Sequence, residues 1–368
     1  MALFRILVVA ALAMFTLASC STPYRPPVVV YGGSSFVGLS GVLAQSAGNG
    51  VDVVLVHGMC THTADWAHGA IDQVMRALDT NYQPKSPQRK AARSAPEIEI
   101  VRRQESVRGV PIRFSALIWS PLTAAFKRQL DYDLTGSPTD CAAPGECKPT
   151  RARLNAMFKD KLLNDCLVDA VIYQGASGPV IQQKMVAALG KVLADGGGAP
   201  LVLIAESLGS KLSFDALNAM LVSPSREQSS AGQDAAARLV QVFMAANQLP
   251  LLALGEQTIE TPARAAGAAA DSLQRFLELR RALPRAQDKR VSALTLVALT
   301  DPNDVLSYRL QPTRYAAPDV QVADVLVSNK PTWFGLIEDP FGAHNDYLVN
   351  PGVTRIIACG VPASRDCK

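Results

Sequence analysis

The chain has 368 residues, of which 48% are hydrophobic and 18% charged, with 36 Lys and Arg against 32 Asp and Glu. That composition excludes wholesale disorder. A net charge of +4 is too small and too spread to suggest a nucleic-acid partner, and the length allows one large α/β domain with insertions or two smaller domains.

Residues 1–19 read as a leader. Arg5 supplies a short positive region, and Ile6 to Ala18 is an apolar stretch too short to span a bilayer. It ends in Leu17-Ala18-Ser19-Cys20, which resembles the bacterial lipobox. That resemblance implies cleavage before Cys20, transfer of a diacylglycerol with palmitate-like chains to its thiolate, and anchoring at a membrane surface. Ser21 stands where an Asp would signal inner-membrane retention, so the expected place is the outer membrane of the envelope. Residues 20–50 are rich in Pro, Gly and Ser, and are expected to be a tether from the lipidated Cys20 to the body, partly draped on it.

In an oxidising compartment the other six cysteines are candidates for disulfides. Cys141 and Cys147 bracket one small loop, Cys359 and Cys367 bracket another, and Cys60 with Cys166 remain as a long-range pair. Neither loop has the second Cys or His pair of a zinc site, so no metal is expected.

The body is expected over residues 51–368. Val51–Val56 is an apolar run that reads as a buried strand ending at His57-Gly58. Helical spacing follows over 64–78, and 81–97 is a polar loop. Strands are expected at 98–101 and 112–119, an insertion near 121–165, and a short strand at 170–173. A helix at 180–193 stops at Gly196–Gly198. Leu201–Ala205 is a second buried strand running into a helix through Met220. Further strands are expected at 240–246, 291–299 and 322–327, with a helical insertion near 251–290 acting as a cap and a closing helix from about residue 349. Strands separated by helices imply crossover connections, hence an α/β fold with a mostly parallel sheet flanked by helices.

Ala205-Glu206-Ser207-Leu208-Gly209 lies where a buried strand turns into a helix. A sharp turn there forces its central Ser into a strained conformation, and small residues two before and two after avoid clashes. The turn lifts the Ser oxygen above the sheet and places a helix N-terminus beneath it, which favours a developing oxyanion. Ser207 is therefore the candidate nucleophile. It needs a base, and His344 is the one His that follows it in the chain. The base needs an acid to fix its tautomer. Asp304 is preferred; Asp301, nearer the strand end and able to cap the turn, is the alternative. Glu256 and Glu260 lie in the insertion and are poorer candidates. The Leu208 amide is one expected oxyanion donor. His57, His62 and His68 lack an H-E-x-x-H pattern and a completing carboxylate pair.

In the order HG turn, Ser elbow, acid and His, residues 51–358 resemble the α/β-hydrolase superfamily on its lipase and esterase side. The departures are Ala205 in place of the first Gly of the elbow and the additional strand-like segments at 98–119 and 170–173. The resemblance implies that His57-Gly58-Met59 is the HG-x turn, with Met59 the second oxyanion donor and His57 structural. It implies serine-dependent hydrolysis of a small-molecule or lipid-like carboxylic ester through an acyl-enzyme. The other class is a catalytically silent lipoprotein that uses the same scaffold to bind an envelope partner. No GxGxxG or GxxxxGK[ST] occurs, so no nucleotide cofactor is implied.

Overall fold

In the computed structural model, residues 20–32, 35–84, 97–135, 150–259, 270–283, 293–364 and 367 are described. The leader at 1–19 and the Cys141 and Cys147 loop lie outside them.

The apolar runs read from the sequence form the middle of the molecule. Strands β4 (Val51–Val56), β7 (Leu201–Glu206), β8 (Leu239–Ala245), β9 (Leu294–Thr300) and β10 (Val320–Leu326) are almost wholly buried. They are parallel, and β6 (Val110–Ile118) joins them parallel to β4. A parallel strand covered on both faces has no solvent side, which is why these segments read as continuous apolar runs. Alternate residues feed two cores. Val54, Val56, Leu203 and Ala205 enter one, and Val53, Leu55, Val202 and Ile204 the other. The eight-stranded order is β2 (Val28–Tyr31), β10, β9, β8, β7, β4, β6 and β5 (Glu99–Val107).

Three helices cover one face: α1 (Leu39–Gln45), α2 (Ala64–Leu78) and α8 (Pro351–Cys359). Thr63 caps α2 by accepting the Asp65 N–H. Ile71, Val74, Met75 and Leu78 form its buried stripe, and each contributes about 1.5–3 kcal/mol on burial. On the other face lie α3 (Gly178–Ala194), α4 (Leu208–Leu221), α5 (Arg226–Arg238) and α6 (Ser272–Ala282).

Four expectations change. Residues 20–50 are docked along most of their described length, where only part was expected to drape on the body. β1 (Cys20–Ser21) pairs with β11 (Thr332–Trp333), and β2 (Val28–Tyr31) is an antiparallel edge strand on β10. β3 (Phe36–Val37) pairs with β12 (Gly360–Val361), and Leu39, Val42 and Leu43 of α1 enter the core. Pro and Gly in this stretch separate short elements that dock on the body.

The segment 170–173 is helical, not a strand. A π-helical stretch (Phe158–Leu167) lies between α-helical Arg153–Met157 and Val168–Gln174. Cys166, Ala170 and Tyr173 are buried while Val171 is exposed, a helical spacing that a four-residue apolar run cannot display by itself. The strands at 98–101 and 112–119 are longer and form one hairpin, β5 (Glu99–Val107) with β6, closed by Arg108 and Gly109 at positive φ.

Of the helical insertion expected near 251–290, residues 251–259 and 270–283 are described, and α6 within it packs on α4 and α5. Ser272 at the start of α6 bonds to Lys211, Asp215 and Asn218 of α4, down the helix from Ser207, and Arg280 donates to Ala236 O on α5. The insertion near 121–165 is the one that borders the candidate residues, as follows.

Candidate active site

The turn from β7 into α4 places Ser207 at φ 54° and ψ −125°, a left-handed backbone for a residue with a Cβ. Such a conformation costs of order 1–3 kcal/mol and persists where the surroundings over-determine it. Here the Ser207 N–H donates to Ala245 O at 2.7 Å, which ties the turn to the end of β8. Small neighbours make room. A Cβ on Gly209 would stand 2.6 Å from the carbonyl oxygens of Val56 and His57. A Cβ on Gly58 would stand 2.5 Å from Ser207 Cβ. The loop after β4 and the β7–α4 turn are therefore in direct contact. Ala205 fits because its methyl group is fully buried in the sheet. The Ser207 hydroxyl is buried and makes no hydrogen bond among the described residues. The Leu208 N–H opens α4, where the first amides have no intrahelical acceptor.

His344 sits in α7 (Pro340–Asn345), a short helix capped by Asp339. Its Nδ1 lies 2.9 Å from both carboxylate oxygens of Asp304, and both residues are buried. Asp304 also accepts the Leu306 N–H and the Tyr347 hydroxyl. Asp301 serves the turn instead. Its carboxylate accepts the N–H groups of Asn303 and Asn329, and its own N–H donates to the Tyr347 hydroxyl. Of the two candidate acids, the structure joins His344 to Asp304. Burial raises the Asp301 carboxyl above its ordinary range despite those N–H donors. Burial and the nearby Asp301 push Glu338 up to about 7.

Met59 is buried beside this turn. His57 is buried and bridges two elements: its Nδ1 bonds to Gly58 O, and its Nε2 accepts the Trp119 N–H. Its ring stacks between His62 and Trp119. Burial, then the neighbouring His62, holds its pKa well below the ordinary value, so it stays neutral. Burial lowers His62 as well. His57, His62 and His68 form no ligand cluster among the described residues. Cys60, Asp165 and Cys166 come close enough for one, but their sulfurs are joined to each other.

The loop after β4 is also fastened from outside. Cys60, at φ 76°, is disulfide-bonded to Cys166. Asp165 accepts the N–H and hydroxyl of Thr61, and Lys127 pairs with Asp165 and Asp169. Asn345 Oδ1 lies 3.8 Å from Cys60 Sγ, and Phe158 meets Phe341 with ring centroids 5.8 Å apart. The Met59 loop, the His344 helix and the π-helical stretch therefore meet at one place. The other expected short loop is closed as well, by a Cys359–Cys367 disulfide.

Three neighbours carry no role in the sequence reading. Tyr347 holds Asp301 and Asp304 in register through one hydroxyl; burial, then Asp304, raises its pKa well above the ordinary value, so it stays a donor. Its signal was its place three residues after His344. Trp66 of α2 donates to Glu206 Oε2 at 3.1 Å. Glu206 is buried with its other oxygen unpartnered, and burial raises its pKa to about 7. His344 and Trp66 pull it down, and Asp346 and Asp304 push it up.

Glu206 makes stability depend on pH with a definite sign. Below about pH 4.5 the carboxyl is protonated in both folded and unfolded chains. Between there and about pH 7 the unfolded chain releases the proton and the folded chain keeps it, so stability falls as pH rises. The loss is on the order of 3 kcal/mol. Glu206→Gln should be more stable than the parent in urea titrations at about pH 8 and nearly equal at about pH 4.5. A parent and variant with parallel pH–stability curves would remove Glu206 as the titrating group.

No protein-family model and no curated protein matches the chain.

Proposed function

We propose that the protein is a serine hydrolase of carboxylic esters, lipase- or esterase-like within an α/β-hydrolase fold, held in the bacterial envelope by a lipid on Cys20. The observation that carries the reading is the pairing of a left-handed Ser207 at the β7–α4 turn with a buried His344–Asp304 hydrogen bond. A structural serine gains nothing from that strained backbone, and a binding protein has no need of a buried imidazole held by a carboxylate. The parallel sheet with flanking helices agrees with the fold that the motif order implies.

In this mechanism the Ser207 oxygen attacks the ester carbonyl while His344 Nε2 takes the hydroxyl proton. Asp304 holds Nδ1 and stabilises the imidazolium. The carbonyl oxygen becomes an oxyanion between the amides of Leu208 and Met59. Collapse breaks the ester C–O bond, and His344 returns the proton to the departing alcohol. Water, deprotonated by the same His344, then attacks the acyl-serine; the bond to Ser207 Oγ breaks, His344 returns the proton to that oxygen, and the acid leaves. The elbow and HG turn support these roles. Two disulfides among the described residues agree with an oxidising compartment.

Nitrophenyl esters of short and medium acyl chains test the reading. An initial burst of nitrophenol equal to the enzyme present, followed by slower turnover, is expected if acylation precedes deacylation through Ser207. Absence of turnover on every acyl length tested would favour the envelope-binding scaffold.

A further inference from the structure

The loop that leads into the His344 helix carries a feature that hydrolysis does not use. Residues 331–337 read Pro-Thr-Trp-Phe-Gly-Leu-Ile, with no charged side chain. The Leu336 N–H donates to Trp333 O at 2.9 Å, and the Trp333 N–H donates to Ile337 O at 2.7 Å, so the segment doubles back as a tight hairpin. Phe334 and Gly335 at its tip have φ of 52° and 67°. Two consecutive positive φ values make a primed turn, for which Asn-Gly is the favoured pair. A bulky Phe at the first of them is an outlier. It stands 50% exposed, with Trp333 at 55%, Ile337 at 60% and Leu336 at 87%. A soluble surface has no reason to hold four large apolar side chains outward on a strained turn.

The base of this hairpin is where the chain meets Cys20. β1 pairs Cys20 with Trp333 and Ser21 with Thr332, and the Ser21 and Thr332 hydroxyls are 2.6 Å apart. Tyr24 and Arg25 fasten the same stretch to Ser328 and Asn329. Because Cys20 is docked as part of β1, its backbone lies one strand spacing, about 5 Å, from the hairpin backbone, and its thiol is exposed. β2 runs antiparallel to β10, with Val28 beside Leu326, so Cys20 lies at the end of the sheet where Ser207, Asp304 and His344 also lie.

We propose that the 333–337 hairpin is a membrane-docking element that inserts Trp333, Phe334, Leu336 and Ile337 into the lipid interface beside the acylated Cys20. This rests on the lipidated-Cys20 reading for its choice of occupant, and is independent of the catalytic one. A Trp flanked by aliphatic side chains suits the boundary between headgroups and acyl chains. Acyl chains on Cys20 place that boundary at the base of the hairpin, and the hairpin adds the second attachment that fixes the orientation of the body. The end of the sheet carrying the candidate site then faces the membrane, where esters of membrane-resident lipids are presented to it.

The test uses the chain from residue 20 carrying Cys20→Ser, which keeps every other described residue and cannot be acylated. It is mixed with vesicles of phosphatidylethanolamine and phosphatidylglycerol, some carrying brominated acyl chains. The protein is expected to sediment with the vesicles and its Trp emission to be quenched, with the quenching lost in Trp333→Phe. Trp119 is fully buried and Trp66 is bonded to Glu206, so neither reports the surface. Adding Phe334→Asn and Leu336→Thr should weaken vesicle binding about tenfold or more. The same pair should leave the melting temperature unchanged or raised, because Asn-Gly suits the turn. Absence of vesicle binding, or binding and quenching that the double substitution leaves unchanged, would overturn the proposal. A hairpin that instead joins two copies of the chain in solution, lost in the double variant, would also overturn it. A mass spectrum of native protein decides the anchor separately: a bare Cys20 with vesicle binding intact would remove the lipid and leave the docking element standing.

Discussion

Ser207→Ala and His344→Ala are each expected to lower ester turnover by about 10⁴- to 10⁶-fold while melting temperatures stay near that of the parent. Nucleophile and base act as one unit, since an attacking hydroxyl without its base is as inert as a base without its hydroxyl. The double variant should therefore be no worse than either single one. Ser207→Ala keeps a Cβ at the left-handed position, so the turn keeps the strain it already has and the Ala245 hydrogen bond to the backbone is untouched. Turnover retained in Ser207→Ala would remove the mechanism. Additive losses in the double variant would mean that the two residues do not share a step.

Asp304→Asn should cost about 10³- to 10⁴-fold in kcat with little change in KM, because an amide at that place favours the wrong imidazole tautomer. Asp301→Asn should act on stability instead. The Asp301 carboxylate accepts two backbone N–H groups, and an amide nitrogen turned toward either leaves a buried donor unpaired, at about 1–3 kcal/mol. The comparison separates positioning of the base from support of the loop. Urea titrations and steady-state kinetics on the same two variants read it. If Asp301→Asn lost turnover and Asp304→Asn lost only stability, the acid would be reassigned.

The buried strands were legible because a parallel strand covered on both faces must be apolar throughout, as in Val51–Val56 and Leu201–Ala205. The Ser207 turn was legible because it lies between a buried strand and a helix, with a small residue at Gly209 that close backbone approach demands. The contact between His344 and Asp304 could be anticipated since few histidines and few late acids were available. What the sequence concealed has physical causes too. Residues 20–50 look like linker because short docked strands and turns share the composition of a tether, and their partners lie some 300 residues away in the chain at 320–333. The run at 170–173 is as apolar as a strand, and its helical form appears only with the buried positions on either side. Tyr347 and Glu206 take their importance from partners in three dimensions, Asp301, Asp304 and Trp66, which no local pattern announces. The Trp333 hairpin carries no sequence signal because Phe-Gly is not a usual primed-turn pair.

Fluorophosphonate labelling tests the central claim most directly. The reagent forms a phosphoryl bond only to a serine whose base is in place, so it reads nucleophile and base together without knowledge of the natural ester. Labelled protein is digested and the adduct is located by mass spectrometry. The account predicts one equivalent of adduct on Ser207, none in Ser207→Ala, and strongly slowed labelling in His344→Ala. An oxidised, folded protein that takes up no reagent, or that is labelled on a serine other than Ser207, would contradict it.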